Sequence, residues 1–265
     1  MNPIIHLALA EDIGAGDVTT NACVRPETQA TGVFLTRESL TLAGTAILTE
    51  IYREIHLHHK DGETLPPNTP IATVHGSARQ LLEVERTALN FLQRLSGVAT
   101  LAHAFVERVA HTHCKILDTR KTTPGFRELE KAASAAGGAT NHRMGLYDAI
   151  LIKNNHIAAA GSVSRAIANT RAASKLPIEI EVRTMDELDE ALAYQADHLL
   201  LDNLSPREAK AWIKRIDGRA KVELSGGITL ETVRDYAETG ADFVSVGAIT
   251  HSARAVDISF RLELA

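Results

Sequence analysis

From Lys115 onward the chain alternates short β-branched or Leu-rich runs with stretches of helical periodicity, and this alternation restricts the fold more than any other feature. The runs are Lys115–Asp118, Ala149–Lys153, Ile178–Val182, His198–Asp202, Lys221–Ser225 and Phe243–Gly247. Strands separated by helices cannot pair as tight hairpins; they lie parallel, covered by the crossover helices. The helices carry their own signals: Ser205 as N-cap with Pro206 in the first turn, Thr229 ahead of Leu230–Tyr236, and Gly240 as a stop. Six such strands exceed one mononucleotide-binding half, and no GxGxxG follows the first, so a barrel is expected in place of a dinucleotide-binding sheet.

Before residue 110 the pattern changes to extended segments such as Gly32–Thr36 and Pro70–Val74, a turn-rich stretch containing Pro66 and Pro67, and then a long helix. That helix repeats Val84, Ala88, Phe91, Leu92, Leu95 and Ala99 at helical spacing, which leaves Glu85, Arg86 and Gln93 off the apolar stripe. At the C-terminus Val256, Ile258, Phe260, Leu262 and Leu264 alternate with polar residues, the period of a half-buried antiparallel strand. The expected organisation is a first domain over 1–110 that recovers the strand 254–265, and a barrel over 111–253.

A chain of 265 residues with 45% apolar and 23% charged side chains can bury a sizeable core. Its formal charge of -5 argues against nucleic-acid or anionic-membrane partners, and no apolar run is long enough to span a bilayer. The N-terminal ten residues lack a basic region followed by an apolar one, so a cytoplasmic protein is expected. Cys23 and Cys114 stand in no metal-spaced motif and read as buried small hydrophobes. His56, His58, His59, His111 and His113 read as solvated surface groups, with no acid or thiol at ligand spacing.

The chemistry is written at the strand ends. Thr119, Arg120 and Lys121 follow the first run, Lys153 ends the second, Glu181 stands near the end of the third and Asp202 ends the fourth. Barrel active sites gather loop-borne side chains at the C-terminal ends of strands, so these charges are expected around one cavity. Any one of them alone reads as a solvated loop charge. The last two strands end in Ser225-Gly226-Gly227 and Gly247-Ala248, where barrels commonly bind phosphate through main-chain N–H groups, with His251 and Ser252 close behind. Arg120, Lys121, His142, Arg143 and Lys153 repel one another unless an anion lies between them, which points to a strongly acidic ligand. Arg127 and Lys131 interleave with Glu128 and Glu130 and read as surface charge pairs along a helix.

Several ordered runs carry a resemblance: Glu11–Asp17, Glu85–Asn90, Asp118–Gly125, Asn141–Arg143, Leu151–Lys153, Leu201–Asn203 and Ser225–Gly227. Together they resemble the quinolinate phosphoribosyltransferases over nearly the whole chain. The resemblance implies an N-terminal open α/β sandwich followed by an incomplete, seven-stranded α/β TIM-like barrel, with Ala139–Arg143 as a short further strand. It implies a homodimer in which Arg86 reaches the partner's site. Arg120, Lys121, His142, Arg143 and Lys153, with Thr119, would bind the carboxylates of quinolinate and the phosphates of phosphoribosyl pyrophosphate. Glu181 and Asp202 would face the ribose and the magnesium pyrophosphate, and Ser225, Gly226, Gly227, Gly247 and His251 would hold the 5'-phosphate. Lys121, Lys153, Glu181 and Asp202 are the catalytic candidates. Magnesium is expected with the pyrophosphate and not on a protein-only site, and no organic cofactor is needed. The chain departs from the pattern at Arg183, where a second acid is expected, and at Gly137-Gly138-Ala139, where three glycines are common. Two other readings stay open: a non-catalytic phosphometabolite-binding barrel, and a transferase for a monocarboxylic pyridine.

Overall fold

The computed structural model describes residues 2–264; Met1 and Ala265, the end points of the expected first domain and of its returning strand, lie outside the described residues. Two compact units are present. The first comprises the chain up to His103, Thr122–Gly138 and the residues from Ile249 onward. Its antiparallel sheet uses β1 (Gln29–Thr36), β3 (Glu54–Leu57), β5 (Pro70–Ser77) and β12 (Ile258–Leu264) in the order β12-β1-β5-β3, and β2 (Leu40–Thr41) pairs separately with β4 (Thr64–Leu65). The C-terminal alternation fixes the register of β12 on β1, with Phe34 opposite Phe260 and Gly32 opposite Leu262. Gly32 is bare for a packing reason: a Cβ there would lie 2.1 Å from Phe260 Cζ. Leu264, at the far end of the strand, is exposed.

The long helix spans Ala78–Val109 and turns Ala88, Phe91, Leu92, Leu95 and Ala99 inward, as its periodicity requires. Leu92 joins Phe34, Leu48, Ile71 and Ile258 in one core. Each such side chain, fully buried, contributes about 1.5–3 kcal/mol. Arg86 is exposed on this helix.

The helix Arg127–Ala136 corrects one reading. Glu130 and Lys131 are fully buried, not surface charges. Glu130 accepts from Arg94 Nε at 3.1 Å and from a terminal nitrogen of the same guanidinium at 2.7 Å, and also from the Thr123 main chain and hydroxyl. Arg94 donates further to the carbonyls of Thr250 and Ala253. A buried carboxylate is tolerated here because one guanidinium and a hydroxyl satisfy it. Residues 122–138 therefore pack in the first unit, although they lie within the segment expected for the barrel.

The second unit comprises Ala104–Lys121 and Ala139–Ala248. Its strands are β6 (Lys115–Leu117), β7 (Ile150–Ile152), β8 (Ile178–Val182), β9 (His198–Asp202), β10 (Lys221–Ser225) and β11 (Phe243–Ser245). All pair in parallel, in the order β6-β11-β10-β9-β8-β7. The expected seventh strand at Ala139–Arg143 shrinks to a single parallel bridge between Thr140 and Leu117. Side chains stop it. The His142 N–H donates to Asp118 Oδ1 (2.9 Å) and the Arg143 N–H to His142 Nδ1 (2.7 Å), so neither amide is left for a ladder. This is an incomplete barrel. The helix expected from Leu230 covers only Val233–Ala237, because the Thr232 hydroxyl takes the Thr229 N–H and makes a turn ahead of it. Ser205 caps Pro206–Ile216 as expected, in a reciprocal capping box with Glu208. Among the described residues no helix is long and apolar enough to cross a membrane.

Candidate active site

A cavity of about 220 Å³ opens at the C-terminal ends of the barrel strands. It is lined by Thr119, Arg120, Lys121, His142, Arg143, Lys153, Glu181, Asp202 and Ser225, together with Leu151, Leu200, Glu223 and Ser245. The strand-end charges predicted to converge thus share one hollow. Gly226, Gly227 and Gly247 are not among its lining residues. His251 ends the short helix Ala248–His251 and itself belongs to the first unit, with Nδ1 2.6 Å from the Ser252 hydroxyl. Arg86 likewise belongs to the first unit.

The pleat explains which acids enter. In β8, Ile178-Glu179-Ile180-Glu181-Val182, successive side chains point to opposite faces, so Glu179 and Glu181 share one face and the aliphatic residues the other. In β10 the same rule places Glu223 with Ser225. Glu181 Oε1 accepts from Arg183 Nε (3.0 Å) and from a terminal nitrogen (2.8 Å), so the departure at Arg183 shields this carboxylate with an exposed guanidinium. Asp202 is oriented by the Asn203 amide at 2.6 Å. Asn203 sits at φ 59°, its N–H donating to the Ser225 carbonyl. Gly226 gives that amide its room: a Cβ would come within 2.3 Å of Asn203 Oδ1, and its φ of 104° disfavours any side chain.

Cations crowd the same cavity. Burial holds Arg143 below its ordinary value, and the charge of Arg120 adds to that, with Glu179 and Asp148 working the other way. One Arg143 nitrogen donates to the Ala149 carbonyl (3.2 Å), and Asp148 closes the same loop by accepting from the Met144 and Gly145 amides. Lys153 follows the end of β7 as the exposed N-cap of the next helix, its main-chain N–H bonded to His156 Nδ1.

Beneath them lies a cluster that the sequence reading missed. His142 Nε2 is 3.3 Å from Glu179 and 3.4 Å from Glu223. Burial opposes a charged imidazole, but hydrogen bonds to both carboxylates and their charges outweigh it and push His142 up to about 10. Burial pushes Glu179 up to about 7, against the pull of His142. Glu223 is also deeply buried, yet hydrogen bonds from His142 and Ser245 bring it down. The Arg143 N–H at Nδ1 favours a bare Nδ1, but an ordinary hydrogen bond is worth a net ~1 kcal/mol and one to a charged group about 1.5–3 kcal/mol. The two carboxylates at Nε2 pull towards the imidazolium, and the Arg143 amide at Nδ1 pulls towards the neutral ring. The missed signal was the alternation in β8 and β10, which places Glu179 and Glu223 on the faces that carry Glu181 and Ser225.

Comparison with known proteins places this barrel among the phosphoribosyltransferases. The profile of the quinolinate phosphoribosyl transferase N-terminal domain matches residues 17–96 and that of the C-terminal domain residues 98–261. The chain is 42% identical to the probable nicotinate-nucleotide pyrophosphorylase [carboxylating] of Bacillus subtilis, covering 100% of this chain and 94% of that protein. It is 43% identical to the Mycobacterium leprae enzyme, a nicotinate-nucleotide pyrophosphorylase [carboxylating], over 97% and 95% of the two chains. The structure of the nicotinate-nucleotide pyrophosphorylase from Francisella tularensis superposes with a TM-score of 0.94 at 38% identity, covering 98% of this chain and 95% of that one. The chain belongs to the quinolinate phosphoribosyl transferase family.

Proposed function

We propose that the chain joins quinolinate to the ribose of phosphoribosyl pyrophosphate with loss of CO2, giving nicotinate mononucleotide and pyrophosphate, a step of de novo NAD synthesis. One observation carries this reading beyond family membership: Arg120, Lys121, His142, Arg143 and Lys153 meet the carboxylates of Glu181 and Asp202 in a single cavity. Cations so placed repel one another until a polyanion enters, and a dicarboxylate with a pyrophosphorylated sugar supplies that charge. A monocarboxylic pyridine leaves more of it uncompensated.

The pyridine nitrogen attacks C1 of the ribose and the C1–O bond to pyrophosphate breaks. Lys121 and Lys153 stabilise the charge that develops on the leaving oxygens. Magnesium belongs to the donor as the counter-ion of its pyrophosphate, and Glu181 and Asp202 orient the ribose at that end. The ribosylated nitrogen is cationic, so the bond from C2 to its carboxylate can break, the pair remaining on C2 until a proton replaces CO2. Thr119 is placed with the quinolinate group. Ser225 is placed with the 5'-phosphate, and the same role is assigned to Gly226, Gly227, Gly247 and His251. Arg86 acts in the site of a second copy within a homodimer. No organic cofactor takes part, the partners are these two small molecules, and the setting is the cytoplasm.

An assay with phosphoribosyl pyrophosphate and magnesium, comparing quinolinate with nicotinate, tests the reading. Mononucleotide and CO2 in equal amounts from quinolinate alone is the expected result. Product from nicotinate alone overturns the substrate, and no product from either revives a binding barrel. Lys121→Ala or Lys153→Ala lowers kcat about a hundredfold, as for a lost oxyanion donor; a folded variant with unchanged kcat removes that lysine from the mechanism.

A further inference from the structure

The carboxylates of Glu179 and Glu223 have no part in the steps above, yet both are buried in the barrel against one histidine of the site. Glu223 lines the upper cavity with His142. A second cavity of about 300 Å³, whose lining includes the strand-start residues Ile150, His198 and Phe243, also reaches His142, Glu179 and Glu223. The cluster thus forms the partition between two hollows of the barrel.

Burying two carboxylates side by side is costly, and an apolar pair would fill the barrel at lower cost. Their placement makes sense if His142 must carry charge. A histidine left to itself titrates near 6.5, so a cavity lined by a lone imidazole loses one positive charge just where metabolic pH lies. The other groups around His142 do not supply that hold. In the upper cavity Arg120, Lys121, Arg143 and Lys153 oppose its protonation, while Glu181 is already paired with Arg183 and Asp202 with the Asn203 amide; His198 stands across the lower cavity, Asp148 is engaged by two amides, and Asp118 accepts from the His142 main chain.

We propose that Glu179 and Glu223 are positioning residues that keep His142 a fixed cation, so that the cavity binds its acidic pyridine equally well across neutral pH. The inference rests on the proposed function for the identity of the ligand, but the charge state of His142 stands apart from it. A cationic ring donates from both nitrogens: Nε2 stays on the two carboxylates, and Nδ1, once protonated, gives up the Arg143 amide and offers its proton to an acceptor.

The test is an NMR titration of the ring of His142 in the whole, ligand-free protein, labelled at histidine, with a chelator present and the resonance identified by its loss in His142→Gln. The expected midpoint lies at least about two pH units above an ordinary histidine. Glu223→Gln and Glu179→Gln each lower it by at least about one unit. With substrates, the KM for quinolinate in the double variant Glu179→Gln, Glu223→Gln rises roughly tenfold or more between pH 6 and pH 8.5, as the unsupported imidazole, back near its ordinary value, loses its proton. The unsubstituted protein changes by less than about twofold over that range, and KM for phosphoribosyl pyrophosphate stays level in both. A merely structural role would lower stability or kcat without this pH dependence. A His142 midpoint below about pH 7 in the unsubstituted protein overturns the proposal even if no variant folds. Folded variants that keep the original midpoint also overturn it. A high midpoint in a protein that makes no product from quinolinate overturns the proposed function and leaves the clamp standing.

Discussion

Gly226→Ala tests how the barrel holds Asp202. The new Cβ would lie 2.3 Å from Asn203 Oδ1 and 2.7 Å from both Asn203 Cγ and the Asn203 main-chain nitrogen. Something must move, and the Asn203 side chain is the part that can. A non-glycine residue at φ 104° adds about 1–2 kcal/mol of backbone strain, and forced overpacking typically another 1–3 kcal/mol. The expected loss is therefore about 2–5 kcal/mol in urea unfolding. Because Asn203 is also the donor that orients Asp202, kcat should fall about tenfold or more, the scale of a lost hydrogen bond to a charged group. The double variant Asn203→Ala, Gly226→Ala separates the two contributions. Removing the amide relieves the contacts at Oδ1 and Cγ and should recover about 1–2 kcal/mol of stability, while activity stays low. A Gly226→Ala protein within about 0.5 kcal/mol of the parent, or a double variant no more stable than the single one, would refute the argument that Gly226 exists to make room for Asn203.

Other outcomes follow from groups outside the cavity. Arg94→Ala leaves the fully buried Glu130 carboxylate without its guanidinium and should cost about 3–5 kcal/mol in chemical denaturation, a loss comparable to breaking other buried pairs. Arg254 and the Asp257 amide hold Glu38 down at about 2, so its contribution is full above the unfolded value near 4.5 and is lost as pH falls towards 2. With Arg254 largely exposed, the gap in stability between the parent and Glu38→Gln should be no more than about 1 kcal/mol at pH 6 and should close by pH 2; a gap that widens on acidification has the wrong sign. Burial, with the charge of Asp242 adding to it, pushes the Cys114 thiol up to about 12, whereas Cys23 is exposed. A thiol reagent at about pH 8 should therefore titrate one cysteine quickly in the native protein and the second only on unfolding, and Cys23→Ser should abolish the fast phase.

The exposed Cys23 shows where sequence reasoning stops. Its composition-based reading as a buried hydrophobe fails because the helix Val18–Cys23, fixed by its Asp17 cap, leaves the thiol in solvent. Helix caps, strand periods and strand-end charges were legible because they are local. The run His198–Asp202 needs only its own residues to declare a strand, and Ser205-Pro206 only its neighbours to start a helix. The convergence of Arg120, Lys153, Glu181 and Asp202 was legible for the same reason, since a parallel barrel sends every strand end to one side.

What the sequence did not disclose depends on partners far along the chain. Lys131 and Glu130 look like surface charges in a helix of good amphipathic pattern, and only Arg94, brought from another helix, makes the burial of Glu130 tolerable. The bridge at Thr140 ends where it does because Asp118, 24 residues away from His142, takes an amide that a seventh ladder would have used. Glu179 and Glu223 reveal themselves as a pair only when β8 and β10 flank β9 in one sheet, with His142 against both carboxylates. By itself the sequence determined the barrel strands, their parallel pairing and the side of the barrel that carries charge, because these follow from local periodicity and handedness. The tertiary structure alone decided which charges are buried and which proton they keep, because desolvation and pairing depend on neighbours that only folding supplies.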